Sequence, residues 1–464
     1  MQHPEIRIYN SLSKRVEPLT PTPGKPLRVF VCGPTVYDYI HIGNARTFVI
    51  FDTFVKFLRQ TWPETQYIQN ITDIDDKIII KATQENRDPL ELSRHFTKEF
   101  KKDMALIGIT APNQYASATD HITHVIQQVN KLIERGNAYL IEGDGYYFDL
   151  TTFPEYGKLS RRTMQMADDG VSRIDDNPRK RNRGDFCLWK FSHNNEPSWQ
   201  TDFGAGRPGW HIEDTAITEY YFGPQYDIHG GGQDLMFPHH EAEIAQQEAA
   251  SGMVPFVRYW MHAAFLVNKE EKMSKSKGNF TALHELLQIQ NPQTIRYYFL
   301  SSHYRSPLDY SDNLLQSAAS ATARIGNSYA ELIKFQPETD IESPIDTDRH
   351  ITNCQKALRD DFNTPKAFGH FFDLIHGVNR SIAEKTLSLK EKTSTLDFLK
   401  KMDEIFGIIP KTQDIPNEVQ ELMNKRQEAK DAKDFSKSDE LRKEIELRGF
   451  EIRDTENGPI AVKK

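Results

Sequence analysis

The sequence predicts an α/β protein: a Rossmann-like, doubly wound parallel sheet with an insertion, followed by an all-α C-terminal region with a small β tail. Three observations lead there. Short apolar runs alternate with amphipathic helical stretches at the start of the chain, and strand–helix–strand–helix order implies a parallel sheet with crossover helices. That alternation breaks near residue 138 and resumes near residue 226. From about Ser311 long helical stretches take over.

Leu27–Cys32 reads as a buried strand running into Gly33-Pro34. Ile42–Gln60 reads as a helix, because Phe48, Phe51, Asp52, Val55 and Leu58 fall near a 3.6-residue period. Thr65–Thr72 is a second strand and Asp75–Gln84 a second helix, with further helices at Pro89–Ile107 and His121–Arg135. Ala138–Leu150 alternates like a hairpin around Gly143-Asp144-Gly145. The stretch after it, rich in Gly, Pro, Asn and charge, reads as an insertion between two halves of one nucleotide fold. Tyr226–His229 is again a strand, Pro238–Ala250 a helix with proline in its first turn, and Tyr259–Val267 a last strand. Helices are expected over Asp312–Lys334, Asp346–Val378, Lys390–Phe406 and within Glu418–Glu446, with a β tail over Gly449–Val462. The expected divisions are 1–120 and 211–310 for the two halves of the nucleotide fold, 121–210 for the insertion, 311–408 for a helical bundle and 415–464 for a C-terminal module.

The chain has 464 residues, a net charge of −8 and three cysteines. Its length suggests about three domains. So few cysteines argue against a disulfide framework and for a reducing, cytoplasmic compartment. No run approaches the ~18 uninterrupted apolar residues of a membrane span, and Met1–Arg7 has no apolar core of a signal peptide. The negative total does not exclude a nucleic-acid partner, since local basic patches such as Arg179–Arg183 do that electrostatic work.

Two short segments carry chemistry. His41-Ile42-Gly43-Asn44 lies where a strand end turns into a helix. A helix N-terminus offers free N–H groups and partial positive charge, an anion site by construction. Gly43 allows close approach of a nucleotide, and His41 can donate to phosphate charge as it develops. Taken alone, such a motif more often means a capped helix with a buried histidine. Lys272-Met273-Ser274-Lys275-Ser276 puts two ammonium groups on a loop flanked by Gly278. Mobile lysines closing over an α-phosphate and departing pyrophosphate stabilise charge selectively in the transition state.

Phe30–Arg46, Asn70–Ile78, Gly209–Glu213, Asp227–Glu243 and Lys272–Asn279 together resemble the cysteinyl-tRNA synthetases, a family of class I aminoacyl-tRNA synthetases, over nearly the full chain. The resemblance implies ATP, with Mg²⁺, L-cysteine and tRNA(Cys) as ligands, and one zinc ion per subunit. It implies catalytic roles for His41, Asn44, Lys272 and Lys275, and nucleotide contacts at Gly43, Gly231, Asp234 and Lys275. It places Gly33, Thr72 and Trp210 around the amino acid, although core packing competes as a reading of Trp210. It implies zinc ligands at Cys32, His239 and Glu243.

The physics agrees with that ligand set. His239 and Glu243 are four apart on a helix and share a face. Cys32 lies at the mouth of the sheet, where nucleotide folds bind ligands. A zinc with an open position takes a substrate thiolate directly. One position departs from the family: Asp214 stands where a fourth, cysteine ligand is usual. Asp214 ligates, or the metal has three protein ligands, or there is none; the first is favoured. The resemblance also implies an anticodon-binding module over 415–464; its tail Gly458–Lys464 has no aromatic to stack on a base, so readout there would fall to polar and basic groups or to aromatics elsewhere. A monomer is expected. Two other readings remain: a related ligase passing cysteine to a small amine, against which the C-terminal module argues, and a non-catalytic tRNA-binding paralogue, against which His41, Lys272 and Lys275 argue.

Overall fold

The protein was analysed as a computed structural model, which describes residues 4–162, 177–193, 196–268, 271–272, 281–337, 345–410, 416–455 and 458–463. An antiparallel hairpin, β1 (Arg7–Asn10) and β2 (Arg15–Pro18), opens the chain. The nucleotide-fold pattern follows: β3 (Arg28–Val31), α1 (Ile42–Arg59), β4 (Gln66–Ile71), α2 (Asp76–Gln84), α3 (Pro89–Leu106) and β5 (Gln114–Ser117). Each boundary has a local cause. His41 caps α1 with its ring nitrogen, Asp75 caps α2, and Asp88 caps α3 ahead of Pro89.

After α4 (Ile122–Glu134), the strands β6 (Ala138–Ile141), β7 (Gly145–Phe148), β8 (Phe186–Phe191) and β9 (Gly206–Pro208) form a separate antiparallel sheet. The chain then returns through α5 (Ile212–Phe222), β10 (Tyr226–Gly232), α6 (His239–Ser251) and β11 (Val257–Ala263). The central sheet has the order β11-β10-β3-β4-β5, all parallel. Growth runs one way from β3 through β4 to β5, and the other way through β10 to β11. The reversal falls between β3 and β10, and such switch points are where α/β sheets open a crevice for ligands. Asn10 covers the β11 edge by donating to Arg258 O at 2.9 Å and accepting from Trp260 N at 3.0 Å.

The expected strand Tyr259–Val267 is in fact two, β11 and β12 (Leu266–Asn268). The buried Arg46 guanidinium, from α1, takes Ala264 O at 2.8 Å and Phe265 O at 2.9 Å, so these carbonyls leave the ladder. β12 pairs with β13 (Glu271–Lys272). The helices α7 (Leu283–Ile289) and α8 (Pro292–Leu300) precede β14 (Leu308–Asp309), which also pairs with β12.

The helical region holds α9 (Asp312–Lys334), α10 (Thr347–Arg359), α11 (Thr364–Ala383) and α12 (Leu389–Phe406). The single helix expected over Asp346–Val378 is broken between α10 and α11, where Asp361 and Phe362 have positive φ. Tertiary contacts override the helical pattern there. The Asp361 carboxylate accepts from Tyr9 N, Tyr304 and Arg305, and Phe362 is buried against Phe54 and Phe57. Arg296 of α8 joins this bundle to the sheet domain: it donates to Asp52 of α1 at 2.8 Å and to Phe406 O of α12 at 2.6 Å. The chain ends in α13 (Asn417–Asp431), α14 (Phe435–Leu447) and the hairpin β15 (Phe450–Thr455) and β16 (Gly458–Lys463), which share a small apolar core. Among the described residues no helix is long and apolar enough to cross a membrane.

Candidate active site and metal centre

A cavity of about 250 Å³ opens at the C-terminal ends of β3, β4 and β10. α1 begins at its wall. His41 Nδ1 accepts the Asn44 amide at 3.2 Å, which leaves the proton on Nε2, the tautomer that can donate outward. The ring folds back so closely that a Cβ at residue 43 would lie 2.9 Å from Nδ1, and glycine is needed there for that reason as well. His41, Gly43 and Asn44 all line the cavity, as do Gly33, Thr72, Asp234 and Trp210.

At the cavity floor lie Cys32, which directly follows β3, Asp214 of α5 and His239 of α6, with Glu243 of α6 behind them. One ligand atom from each falls within 4.8 Å of the others, and all four residues are buried. Cys32 Sγ is 3.4 Å from Asp214 Oδ2 and 3.8 Å from Glu243 Oε1. His239 Nε2 is 3.0 Å from Asp214 Oδ2 and 3.1 Å from Glu243 Oε1. The other ring nitrogen of His239 meets His211 Nδ1 at 2.7 Å, and Asn70 Nδ2 donates to Asp214 Oδ1. Thr72 donates to Glu213, the buried neighbour of Asp214.

This floor concentrates acidic groups away from water. Burial pushes the Cys32 thiol well up, with Glu243 and Asp214 adding to it. Burial and Asp214 likewise raise Glu243 and Glu213 well above the carboxylate range. Among the described residues, buried Glu243 Oε2 accepts no hydrogen bond; His229 Nδ1, 3.5 Å away, is engaged by Tyr226. An orphaned buried oxygen among a thiol and two further carboxyls is costly without a cation. The donor set of one thiol, one imidazole and two carboxyls therefore fits a divalent metal of the zinc type.

Residues 18–320 match the catalytic-domain family of class I (C) tRNA synthetases, and residues 353–410 match the DALR domain family. Curated relatives match end to end. The cysteine–tRNA ligase of Carboxydothermus hydrogenoformans is 41% identical over 98% of this chain and 99% of its own. Those of Syntrophotalea carbinolica and Thermococcus onnurineus are 40% and 39% identical over 98% of both chains. The chain belongs to the cysteine–tRNA ligase family. The fold agrees: a Mycobacterium tuberculosis methionyl-tRNA synthetase bound by methionyl-adenylate superposes with a TM-score of 0.61 at 14% identity, covering 83% of this chain and 92% of that one.

Within the ligase, sequence reasoning missed two histidines. His229 of β10 and His240 of α6 both bring Nε2 to 3.2 Å from Cys32 Sγ, and with Cys32 and Glu243 they form a second possible ligand set. Both are held from behind. Tyr226 meets His229 Nδ1 at 2.6 Å, and His262 Nε2 meets His240 Nδ1 at 2.9 Å. Burial lowers both imidazoles well below their usual range, and His262 to about 3, so all three are neutral. The signal was the doubled His239-His240: adjacent helical residues point about 100° apart, so each serves a different partner.

Of the two readings of Trp210, core packing does not hold: the ring is 37% exposed, lines the cavity and stacks on His239 at 4.5 Å, with the Lys77 ammonium 5.5 Å from its centre. Gly33 lines the cavity, and its amide donates to Asn70 Oδ1. Gly231 lies behind the cavity, where a Cβ would come within 2.9 Å of the His240 ring, whereas Gly232 and Asp234 face the cavity. Pro238 is the N-cap of α6 and not in its first turn. The backbone of Lys272 pairs with Val267, and Lys275 lies outside the described residues.

Proposed function

We propose that this cavity activates L-cysteine with ATP and passes it to tRNA(Cys), with Cys32, Asp214, His239 and Glu243 as ligands of one zinc ion. The observation that carries the reading is the convergence of these four buried donors, three of them lining a cavity whose wall is the N-terminus of α1 and Glu243 directly behind them. A zinc there would supply a soft Lewis acid that takes a thiolate and discriminates against the harder hydroxyl of serine.

The chain's own residues do the rest. The N-terminus of α1 and the Nε2–H of His41 receive phosphate charge, Asn44 and Gly43 border the same space, and Asp234 faces the cavity for the ribose hydroxyls. Trp210, stacked over His239, closes the amino-acid side together with Thr72. A cysteine carboxylate oxygen attacks the α-phosphorus of ATP, the anhydride bond to the β-phosphate breaks, and pyrophosphate leaves with Mg²⁺. Lys272 and Lys275 neutralise the charge that develops there. A ribose hydroxyl of the terminal adenosine then attacks the acyl carbon, and AMP leaves. The module from α13 onward takes the anticodon arm. A cytoplasmic setting suits three free cysteines, and a monomer suffices because one chain supplies the whole cavity wall.

The test combines metal analysis with pyrophosphate exchange on one preparation. Exchange that requires cysteine, ignores serine and falls with zinc removal is expected. Exchange that persists unchanged in zinc-free protein refutes the metal assignment.

A further inference from the structure

The helical bundle carries three polar side chains that the catalytic reading leaves idle. His350 lies near the start of α10, and His370 and Asp373 lie three residues apart on α11, on one face. The turn between the helices folds α11 back along α10, where Cys354 Sγ donates to Ala367 O at 3.3 Å. One ligand atom each from His350, His370 and Asp373 comes within 4.8 Å of the others. His350 Nδ1 is shielded from water and, among the described residues, has no hydrogen-bond partner. A buried imidazole nitrogen without a partner is a standing penalty in the folded state, and a metal ion is one group that removes it.

We propose that His350, His370 and Asp373 form a second divalent transition-metal site, remote from the catalytic cavity, that clips the start of α10 to α11. Two imidazoles and one carboxylate suit Zn²⁺, Co²⁺ or Ni²⁺; Mg²⁺ and Ca²⁺ seek oxygen donors. Three protein donors leave coordination positions to water, and Asp373 is exposed. The ion therefore exchanges with the medium, and the site responds to free metal concentration. Because the donors come from two helices, occupancy stabilises the folded bundle in proportion to metal concentration.

The test uses the full chain, stripped by chelator and dialysed against Zn²⁺. His370→Gln and Asp373→Asn alter partly exposed and exposed side chains, so neither disturbs the core. One bound equivalent should survive Cys32→Ser but weaken at least about tenfold in each of these variants, since loss of even an outer partner of a metal site costs that much. Zn²⁺ should raise the thermal midpoint of Cys32→Ser, and the rise should shrink when His370→Gln is added. Pyrophosphate exchange should be the same in His370→Gln as in the parent. The proposal is overturned if every equivalent bound by the parent disappears in Cys32→Ser, or if His370→Gln and Asp373→Asn bind zinc as the parent does.

Discussion

Asn70 holds Asp214 by its far oxygen: Asn70 Nδ2 donates to Asp214 Oδ1, which leaves Oδ2 turned toward Cys32 and His239. The same amide accepts the Gly33 N–H through its oxygen, so one side chain ties Asp214 to the turn that follows β3. A carboxylate held this way presents a single oxygen, much as a cysteine presents a single sulfur. Asn70→Ala should therefore free Asp214 to turn and lower zinc affinity about 10–100-fold, the usual cost of losing an outer partner. Equilibrium dialysis measures this. Unchanged affinity in Asn70→Ala would mean that Asp214 needs no such support.

As a ligand of the proposed zinc ion, Asp214 would set the hardness of the donor set. Asp214→Cys restores a thiolate and should slow zinc loss to a chelator, while Asp214→Ala should speed it. Asp214→Ala should also weaken rejection of serine toward the ~10–200-fold that shape alone provides. Serine-dependent pyrophosphate exchange reads the second effect. Normal zinc content in Asp214→Ala would exclude Asp214 as a ligand.

Lys275 should act on chemistry and not on metal. Lys275→Ala is expected to slow single-turnover adenylate formation by at least ~10², the scale of lost transition-state charge stabilisation, with zinc content unchanged. A near-normal activation rate would remove it from the mechanism.

Much of this was legible in the sequence because its causes are local. β3 and α1 announce themselves by apolar run, period and cap, and the i, i+4 pair His239–Glu243 follows from helix geometry alone. What was not legible depends on distant partners. α5 has no apolar stripe: Glu213, Asp214, Thr215 and Thr218 are all buried, so its pattern does not read as helical. Nothing near Ala264 or Phe265 reveals that Arg46 will capture their carbonyls. The approach of His229 and His240 to Cys32 exists only once β10 lies beside β3 and α6 packs across both.

The pair Asp52–Arg296 makes a prediction about acid stability. Burial alone would raise the Asp52 carboxyl, but Arg296, Lys56 and the Thr110 amide outweigh it and hold the group below the usual carboxylate value. A depressed folded-state pKa contributes stability that is complete above the unfolded value of ~3.9 and is lost as pH falls through the lower folded one. Asp52→Asn leaves Arg296 buried without its counter-charge and should cost about 3–5 kcal/mol near neutral pH. Urea denaturation should show the gap between variant and parent closing as pH drops below about 4. A gap that stays constant with pH would show that charge pairing at Asp52 is not its source.

The C-terminal module should separate tRNA recognition from activation. α13, α14 and the β15–β16 hairpin bury Val419, Leu422, Met423, Leu441, Ile445, Phe450, Ile452 and Ala461 among themselves. Among the described residues, none of this module lines the cavity. Removing the chain from about Ile415 therefore leaves both the cavity and the Arg296 link between sheet and bundle in place. Cysteine-dependent pyrophosphate exchange should be retained, because adenylation needs only the cavity. The KM for tRNA should rise, because an acceptor end presented without its anticodon arm loses contacts made equally in ground and transition states. The kcat at saturating tRNA should move less than KM for the same reason. If the truncated ligase charges tRNA with an unchanged KM, recognition resides in the insertion sheet or the bundle, and the module has another task.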